Sequence, residues 1–113
     1  MNEVSLVIIV ILVVLFIRYY SKKRLLLFYS PECGYCNRMK PEWDIFKKEM
    51  KNKLLSWIEV KEINVDDRKN DLIVRNFGVS QVPSIFKIEK NGYPEQYAGD
   101  RTKERMMEWM TKS

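Results

Sequence analysis

The chain of 113 residues contains no histidine and only two cysteines. The absence of histidine excludes a Cys–His or Ser–His nucleophile pair, a histidine general base and a histidine metal ligand. Glycine and proline are also few, at four each, and no low-complexity tract or long linker interrupts the sequence. Any chemistry must therefore use thiols and carboxylates, and the length allows one small domain.

A concentrated positive charge is also missing from residues 24–113. Lysine and arginine number 20 and aspartate and glutamate 15 in the whole chain, which gives a net charge of +5. Without residues 1–23 the excess is +3, and it is spread through the domain and not interleaved with aromatic residues in a basic stripe, as nucleic-acid binding would favour. We therefore predict no nucleic-acid partner.

The two cysteines stand three positions apart, directly after an apolar run that is typical of a buried strand. The run is Leu25–Tyr29, a Ser-Pro turn follows it, and apolar residues then recur at helical spacing at Met39, Trp43, Phe46 and Met50. Cys33 is thus predicted at the first turn of a helix, where free amide N–H groups and the helix dipole favour a thiolate. This arrangement favours reversible dithiol chemistry by Cys33 and Cys36.

Other interpretations of the cysteine pair are weaker. A structural disulfide between positions i and i+3 closes a very small loop and removes little entropy from the unfolded chain. Zinc needs about four ligands, so a metal site would require a second copy or a partner. A dimer that shares a metal ion or an iron–sulfur cluster stays an alternative. We expect no metal and no cofactor beyond a redox-active Cys33–Cys36 disulfide.

The N-terminus carries an apolar run over residues 4–17 that only Ser5 interrupts, and tyrosines and basic residues follow it. Residues 4–20 would give about 25 Å of helix, at the short end of what spans a bilayer. Glu3 before the run and bulky residues after it disfavour a cleaved signal peptide. We predict a retained single-pass signal anchor in residues 1–23. The positive charge after the span favours the cytoplasmic side for residues 24–113, in a viral or a host membrane.

Strand and helix patterns alternate after Tyr29 and then end in a hairpin. They predict a helix over about 34–50, a strand at 57–65, a helix at 66–77, strands at 84–89 and 95–98, and a helix at 102–112. Pro41 should bend or interrupt the first of these helices, Gly78 should end the second, and Asn91-Gly92 should turn the hairpin. The order βαβαββα predicts an α/β fold with a mixed sheet and helices on both faces.

Seven short segments resemble, in the same order, the thioredoxin superfamily, and most closely a protein disulfide isomerase-like thioredoxin domain. They fall within residues 25–112 and are Phe28–Cys36, Lys40–Trp43, Asn64–Asp66, Phe77–Val79, Val82–Ser84, Lys90–Gly92 and Tyr97–Thr102. The resemblance implies a reduced thioredoxin fold, because the family's opening strand and helix are missing. It also implies protein thiols and disulfides as substrates.

The resemblance assigns roles by position. Cys33 matches the exposed nucleophile of the family and Cys36 the resolving thiol. Pro83 matches the cis-proline that faces the cysteines, and Val82 would offer its backbone to an extended substrate. Tyr35 is expected to contact the substrate where isomerases have histidine. Because it carries no positive charge and Glu32 is acidic, the pKa of Cys33 should be higher than in an isomerase.

One position departs from the family in a way that suggests a hypothesis. Leu27 stands where the family usually buries an acidic residue, and Glu62 stands where that residue's lysine partner is expected. We hypothesise that the carboxylate has changed strands and that Glu62 accepts the proton of Cys36, directly or through water. The alternative is that Glu62 points to solvent or pairs with a nearby lysine.

The sequence therefore predicts a membrane-anchored protein thiol–disulfide oxidoreductase that uses the Cys33-Gly-Tyr-Cys36 pair. The leading alternative is a non-catalytic thioredoxin-like binding module that docks partners at the Val82-Pro83 surface. The recycling partner stays unassigned.

Overall fold

The computed structural model describes residues 2–20, 23–53, 58–89 and 92–112. The helices in these ranges are α1 (Glu3–Tyr20), α2 (Gly34–Lys53), α3 (Asp71–Asn76) and α4 (Lys103–Thr111), with a 3₁₀ turn at Arg68–Asn70. The strands are β1 (Lys23–Tyr29), β2 (Ile58–Asn64), β3 (Ser84–Ile88) and β4 (Pro94–Gln96).

The four strands form one sheet in the order β2-β1-β3-β4. β1 runs parallel to β2 and antiparallel to β3, and β3 pairs antiparallel with β4. The predicted mixed sheet is therefore confirmed. Its central strand is β1, which explains why that segment is an unbroken apolar run: a strand with neighbours on both edges and helices on both faces has no side exposed to water.

Alternate side chains of β1 serve two separate cores. Leu25 and Leu27 pack with α2 and α4 in a cluster that is rich in methionine. Leu26 and Phe28 pack on the opposite face, with Phe86 and with partly buried side chains of α3 and the segment after it. Helices thus cover both faces of the sheet, as predicted.

The expected interruption at Pro41 and the expected start of the second helix were wrong, whereas a bend at Pro41 stays a prediction. Pro41 lies inside α2, yet the helix runs from Gly34 to Lys53 without interruption. The proline ring removes a single helical hydrogen bond, and Trp43 and Phe46 just beyond it are fully buried and hold the helix against the sheet. The second predicted helix begins at Asp71 rather than at residue 66.

The late start of α3 has a local cause. The Asp67 side chain accepts a hydrogen bond from the Lys69 N–H and thereby caps the 3₁₀ turn. Aspartate side chains that bond to nearby backbone compete with α-helix in this way. Gly78 ends the helical segment as predicted, with a φ of 62° that glycine adopts without strain.

The predicted hairpin between β3 and β4 is confirmed by their antiparallel pairing. Gly92 has a φ of 78° and donates its N–H to the Glu89 carbonyl at 2.9 Å. Asn91, the other residue of the predicted turn, lies outside the described residues, as does Trp57 at the predicted start of β2.

α1 contains the N-terminal apolar run. The large apolar side chains from Val4 to Ile17 are all exposed, by 42 to 67%. Among the described residues, no helix is both long and apolar enough to cross a membrane. The predicted membrane anchor is therefore not supported by the structure.

The start of α4 is bonded to α2, and Arg101 lies two residues before that start. The Lys103 N–H donates to Glu42 Oε2 at 2.9 Å, and the Arg105 N–H donates to Thr102 Oγ1 at 3.3 Å. Both bonds satisfy amide groups that the first turn of a helix leaves free.

Candidate active site

The two cysteines lie at the junction between β1 and α2. Pro31 and Glu32 form the connecting turn, and the Cys33 N–H donates to the Ser30 carbonyl at 3.1 Å. Cys33 immediately precedes the first helical residue, and Cys36 lies one turn into the helix. Cys33 is half-buried and Cys36 is buried, and both are free thiols. The predicted placement at the leading end of a helix is confirmed.

The two thiols differ in their hydrogen bonds and their burial, and therefore in their pKa. The Cys36 N–H donates to Cys33 Sγ at 3.2 Å. The pKa of Cys33 is held below its ordinary value mainly by a hydrogen bond from the Cys36 thiol, and then by the backbone N–H groups of Cys36 and Tyr35, which outweigh partial burial. Burial, followed by that same hydrogen bond, raises the pKa of Cys36 to about 11.

The thiolate is the reactive form of cysteine, so this difference in pKa favours Cys33 over Cys36 as an attacking thiol. The assignment of the nucleophile and the resolving thiol stays a prediction. The predicted comparison with isomerases, in which Tyr35 and Glu32 leave Cys33 with the higher pKa, stays a prediction.

The Val82–Pro83 peptide bond is cis and faces the cysteines, as expected. The Cys33 thiol lies 3.7 Å from the Val82 carbonyl oxygen, to which it donates. Pro83 is buried, and the Ser84 hydroxyl donates to the Gln81 carbonyl at 2.6 Å across the same turn. The segment before β3 thus lies directly beside Cys33.

Arg101 is a site residue to which the sequence assigned no role. Its Nη2 atom donates to the Pro83 carbonyl at 3.4 Å. Its positive charge lowers the pKa of both Cys33 and Cys36, although it is not the largest influence on either. The only sequence signal was its place in the Tyr97–Thr102 segment, which gives no hint of a contact with Pro83.

Tyr35 projects from the first turn of α2 between the cysteines and is 67% exposed. The Arg38 guanidinium lies over its ring, 4.4 Å from the centroid, and Arg38 Nε donates to the Gly34 carbonyl at 3.4 Å. The Tyr35 ring is thus open to solvent, and the Arg38 cation stacks on it although the tyrosine itself carries no charge.

Glu62 lies next to Leu27 in the parallel pairing of β1 and β2. Its Oε1 accepts a hydrogen bond from Trp43 Nε1 at 2.8 Å, and Lys47 Nζ lies 3.4 Å from the carboxylate. The lysine pairing that formed part of the alternative is therefore present. Glu62 also lines the same cavity as Cys36.

That cavity, of about 340 Å³, opens between α2 and the edge of the sheet formed by β1 and β2. Its walls combine apolar and polar side chains, namely Leu27, Tyr29, Pro31, Cys36, Asn37, Met39, Lys40, Trp43 and Glu62. The structure therefore brings Cys36 and Glu62 to the same cavity.

No cluster of three or more His, Cys, Asp or Glu side chains that could hold a metal occurs among the described residues. Two cysteines alone do not complete a metal site within one chain.

The arrangement of a strand, a Cys-x-x-Cys pair at a helix start and an opposed cis-proline defines a class of protein. The sequence profile of the thioredoxin family matches residues 16–112, and the chain belongs to that family. The predicted family is confirmed.

Individual relatives are similar over most of the chain. DnaJ homolog subfamily C member 10 of Xenopus laevis is 32% identical over 80 residues, which cover 71% of this chain and 9% of that protein. Human protein disulfide-isomerase A6 is 33% identical over 76 residues, covering 67% of this chain and 17% of that protein. The chain thus spans less than a fifth of either relative.

Solved structures agree with this classification. The J-Trx1 fragment of ERdj5 superimposes with a TM-score of 0.68 at 28% identity, covering 84% of this chain and 45% of that one. The first thioredoxin domain of mouse protein disulfide-isomerase A4 gives a TM-score of 0.65 at 29% identity, covering 75% of this chain and 58% of that domain structure. The chain is therefore similar to thioredoxin domains of the disulfide isomerase type.

Proposed function

We propose that this chain is a protein thiol–disulfide oxidoreductase whose working groups are Cys33 and Cys36. The observation that carries the proposal is the asymmetry of the pair: the exposed-side thiol accepts a backbone N–H at 3.2 Å and has a lowered pKa, while its buried neighbour has a raised one. Thiol–disulfide exchange requires one sulfur that attacks and a second that stays protonated until it is needed.

In the first step, the Cys33 thiolate attacks one sulfur of a substrate disulfide. An S–S bond forms between Cys33 and the substrate, the substrate's own S–S bond breaks, and the departing thiolate takes a proton from water. Cys36 then loses its proton and attacks the Cys33 sulfur, forming the Cys33–Cys36 disulfide and releasing the second substrate thiolate. Two electrons pass from the dithiol to the substrate, and the reverse sequence oxidises a dithiol.

Tyr35, Val82 and Pro83 are the proposed substrate-contacting residues. Tyr35 is exposed two residues after Cys33, and the Val82 carbonyl lies 3.7 Å from the Cys33 sulfur. An extended substrate segment that pairs with the Val82 backbone would bring its disulfide to Cys33 by strand addition.

The alternative function, a docking module without turnover, uses the same Val82-Pro83 surface. Reduction of insulin by dithiothreitol separates the two functions. An oxidoreductase accelerates this reduction catalytically, at far less than one protein per insulin disulfide. A docking module leaves the rate at that of dithiothreitol alone, and such a result would refute the proposal.

Glu62 is proposed as the proton acceptor of Cys36, through water in the shared cavity. Its carboxylate is fixed by Trp43 and Lys47, so it faces this space in a defined position. Glu62→Gln keeps an oxygen for the Trp43 N–H but removes the basic group. We expect it to slow resolution of a mixed disulfide by about a hundredfold, the lower end of what general-base catalysis contributes.

The matched control is Glu59→Gln. Glu59 lies on the same strand, its side chain is 33% exposed against 34% for Glu62, and it is also ion-paired. It does not line the cavity, so resolution should keep its wild-type rate. An unchanged rate in Glu62→Gln would assign Glu62 to the ion pair with Lys47 alone.

Membrane anchoring through residues 4–20, with the thioredoxin-like domain on the cytoplasmic side, is a further part of the proposal. It rests on the apolar run and on the basic residues after it. Alkaline carbonate extraction of membranes that contain the full chain should leave it in the pellet, and protease added to intact cells should leave residues 24–113 uncut. Release into the supernatant would contradict the anchor.

A further inference from the structure

A second cavity lies beside the cis-proline, at the segment that precedes β3. Its volume is about 150 Å³, and its walls come from residues 78–84, from β3 and β4, and from the segment before α4. Val82 and Pro83 line it, and the Val82 carbonyl lies 3.7 Å from the Cys33 sulfur. It has no lining residue in common with the cavity at Cys36. A substrate segment that pairs with the Val82 backbone would therefore lie next to this second cavity.

The described residues that line this cavity carry a single charge, that of Arg101. They include no aspartate, glutamate or lysine. Their neutral polar side chains are those of Ser80, Gln81, Ser84, Gln96 and Tyr97. The hydroxyls of Ser84 and Tyr97 already donate to backbone carbonyls. The other three side chains form no hydrogen bond within the described part of the chain, so they are free to bind a ligand.

The Arg101 guanidinium is only partly engaged. Its Nη2 atom donates to the Pro83 carbonyl at 3.4 Å. Among the described residues it forms no ion pair, not even with the adjacent Asp100. A guanidinium has five N–H donors in a planar fork, which fits a carboxylate through two parallel hydrogen bonds. Most of the donors of this exposed arginine are therefore open to a ligand.

The size and the charge of the cavity restrict its ligand. A volume of about 150 Å³ lies below the roughly 300–1,000 Å³ of small-molecule sites, so the cavity fits one side chain and not a whole cofactor. A cation with open donors, with amide and hydroxyl groups beside it and no carboxylate among the described lining residues, attracts an anion and repels a second cation. Among the standard side chains, those of glutamate and aspartate meet both conditions.

We propose that this cavity is a subsite for a substrate carboxylate bound by Arg101, and that the chain prefers disulfides whose cysteine has a glutamate or an aspartate close by in sequence. This inference rests on the proposed function, because it names the substrate class of the Cys33–Cys36 pair. The carboxylate binds without covalent change, and the exchange of disulfide bonds at Cys33 is unaltered.

Peptide disulfides measure this preference. Each substrate is a pair of amidated peptides joined by one disulfide, with glutamate or its neutral isostere glutamine one or two positions from the cysteine. Amidation ensures that no chain terminus supplies the carboxylate. At low salt, kcat/KM of the wild-type full chain should be about tenfold higher for the best-placed glutamate than for glutamine, as expected for a charge-assisted hydrogen bond. Added salt should weaken this preference.

Arg101→Gln should bring the ratio of the two kcat/KM values close to one. Arg101→Lys keeps the charge but loses the fork, and should retain a preference of about threefold. The ratio is the appropriate quantity because Arg101 also lowers the pKa of both cysteines, and a change in thiol reactivity affects both peptides equally.

The matched control is Arg38→Gln. Arg38 is also an exposed arginine near the dithiol, and it too forms no ion pair among the described residues. Its guanidinium lies over the Tyr35 ring, and it does not line the cavity. The ratio of the two kcat/KM values should therefore stay at its wild-type value.

A binding measurement separates this proposal from the proposed function. Single peptides with serine in place of cysteine cannot exchange disulfides. Their binding to the full chain is followed by NMR, through the side-chain amide signals of Gln81 and Gln96. The glutamate peptide should bind about tenfold more tightly than the glutamine peptide, and Arg101→Gln should remove this difference.

The outcomes are distinct. If the wild type reduces glutamate and glutamine peptides equally fast at every position, the subsite is wrong. The same conclusion follows if the preference survives in Arg101→Gln or disappears in Arg38→Gln. If the wild type reduces no disulfide, yet the serine peptides show a preference that depends on Arg101, the subsite stands and the proposed function fails. If neither reduction nor a binding preference occurs, both fail.

Discussion

Replacing Cys33 by serine should lower the rate of disulfide exchange by roughly a thousandfold or more, as loss of a catalytic nucleophile does in other enzymes. A serine hydroxyl stays protonated in the accessible pH range, and with no histidine in the chain there is no imidazole to activate it. The measurement is insulin reduction together with stopped-flow attack on a small aromatic disulfide. In the wild type, the rate of attack should reach its plateau at a lower pH than for an ordinary cysteine, because the pKa of Cys33 is lowered.

The matched variant is Cys36→Ser, which keeps the nucleophile and removes the resolving thiol. It should complete the first step and then accumulate a mixed disulfide that mass spectrometry detects as a covalent adduct on Cys33. Cys33 is only half-buried, so its replacement should leave the thermal stability nearly unchanged. Turnover that survives in Cys33→Ser would show that the chemistry lies elsewhere in the chain.

The place of the cysteine pair in the fold could be predicted because the information for it is local. A buried strand, a turn and a helical repeat of apolar residues place Cys33 at a helix start whatever the rest of the chain does. Pro83 came from the resemblance to the thioredoxin superfamily rather than from its own neighbours. Both predictions concern a residue and the backbone around it.

The side-chain contacts around the pair could not be predicted in the same way, because they join segments that are distant in the sequence. The Ser30 hydroxyl donates to the carboxylate of Asp66, which lies 36 residues further along the chain. Arg101 donates to the Pro83 carbonyl from the segment just before α4, whose first turn is held by Glu42 and Thr102. The pairing of Glu62 with Leu27 follows from the register of β1 and β2, and a register shifted by one residue would have turned Glu62 to the other face.

The sequence also did not reveal that the side chain of Lys87 is buried. It lies within β3, where a pattern of buried strand residues predicts apolar side chains, yet its side chain is only 3% exposed. Its Nζ donates to the Trp109 carbonyl at 2.8 Å and the Lys112 carbonyl at 3.0 Å, and it lies 4.9 Å from the centre of the Trp109 ring. The ammonium group therefore satisfies carbonyls that the end of α4 leaves free.

Lys87→Met should lower the free energy of unfolding by about 3 kcal/mol, near the lower end for breaking a buried charge pair. Methionine fills the aliphatic volume but leaves the helix carbonyls unpaired. It also removes the cation 3.5 Å from Glu89, whose buried Oε1 accepts no hydrogen bond from the described part of the chain. Glu95, the second ionic partner at 3.6 Å, is 61% exposed and should contribute little.

Urea unfolding of the full chain measures the change, and Lys61→Met is the matched control. Lys61 also lies on a strand and pairs with a glutamate at 3.4 Å, but its side chain is 60% exposed. Water solvates that charge when the pair is broken, so the control should cost about 0.5 kcal/mol or less. If Lys87→Met costs no more than the control, the ammonium does not hold α4 to the sheet. A large difference would instead make the C-terminal helix, and through it the placement of Arg101, dependent on one buried charge.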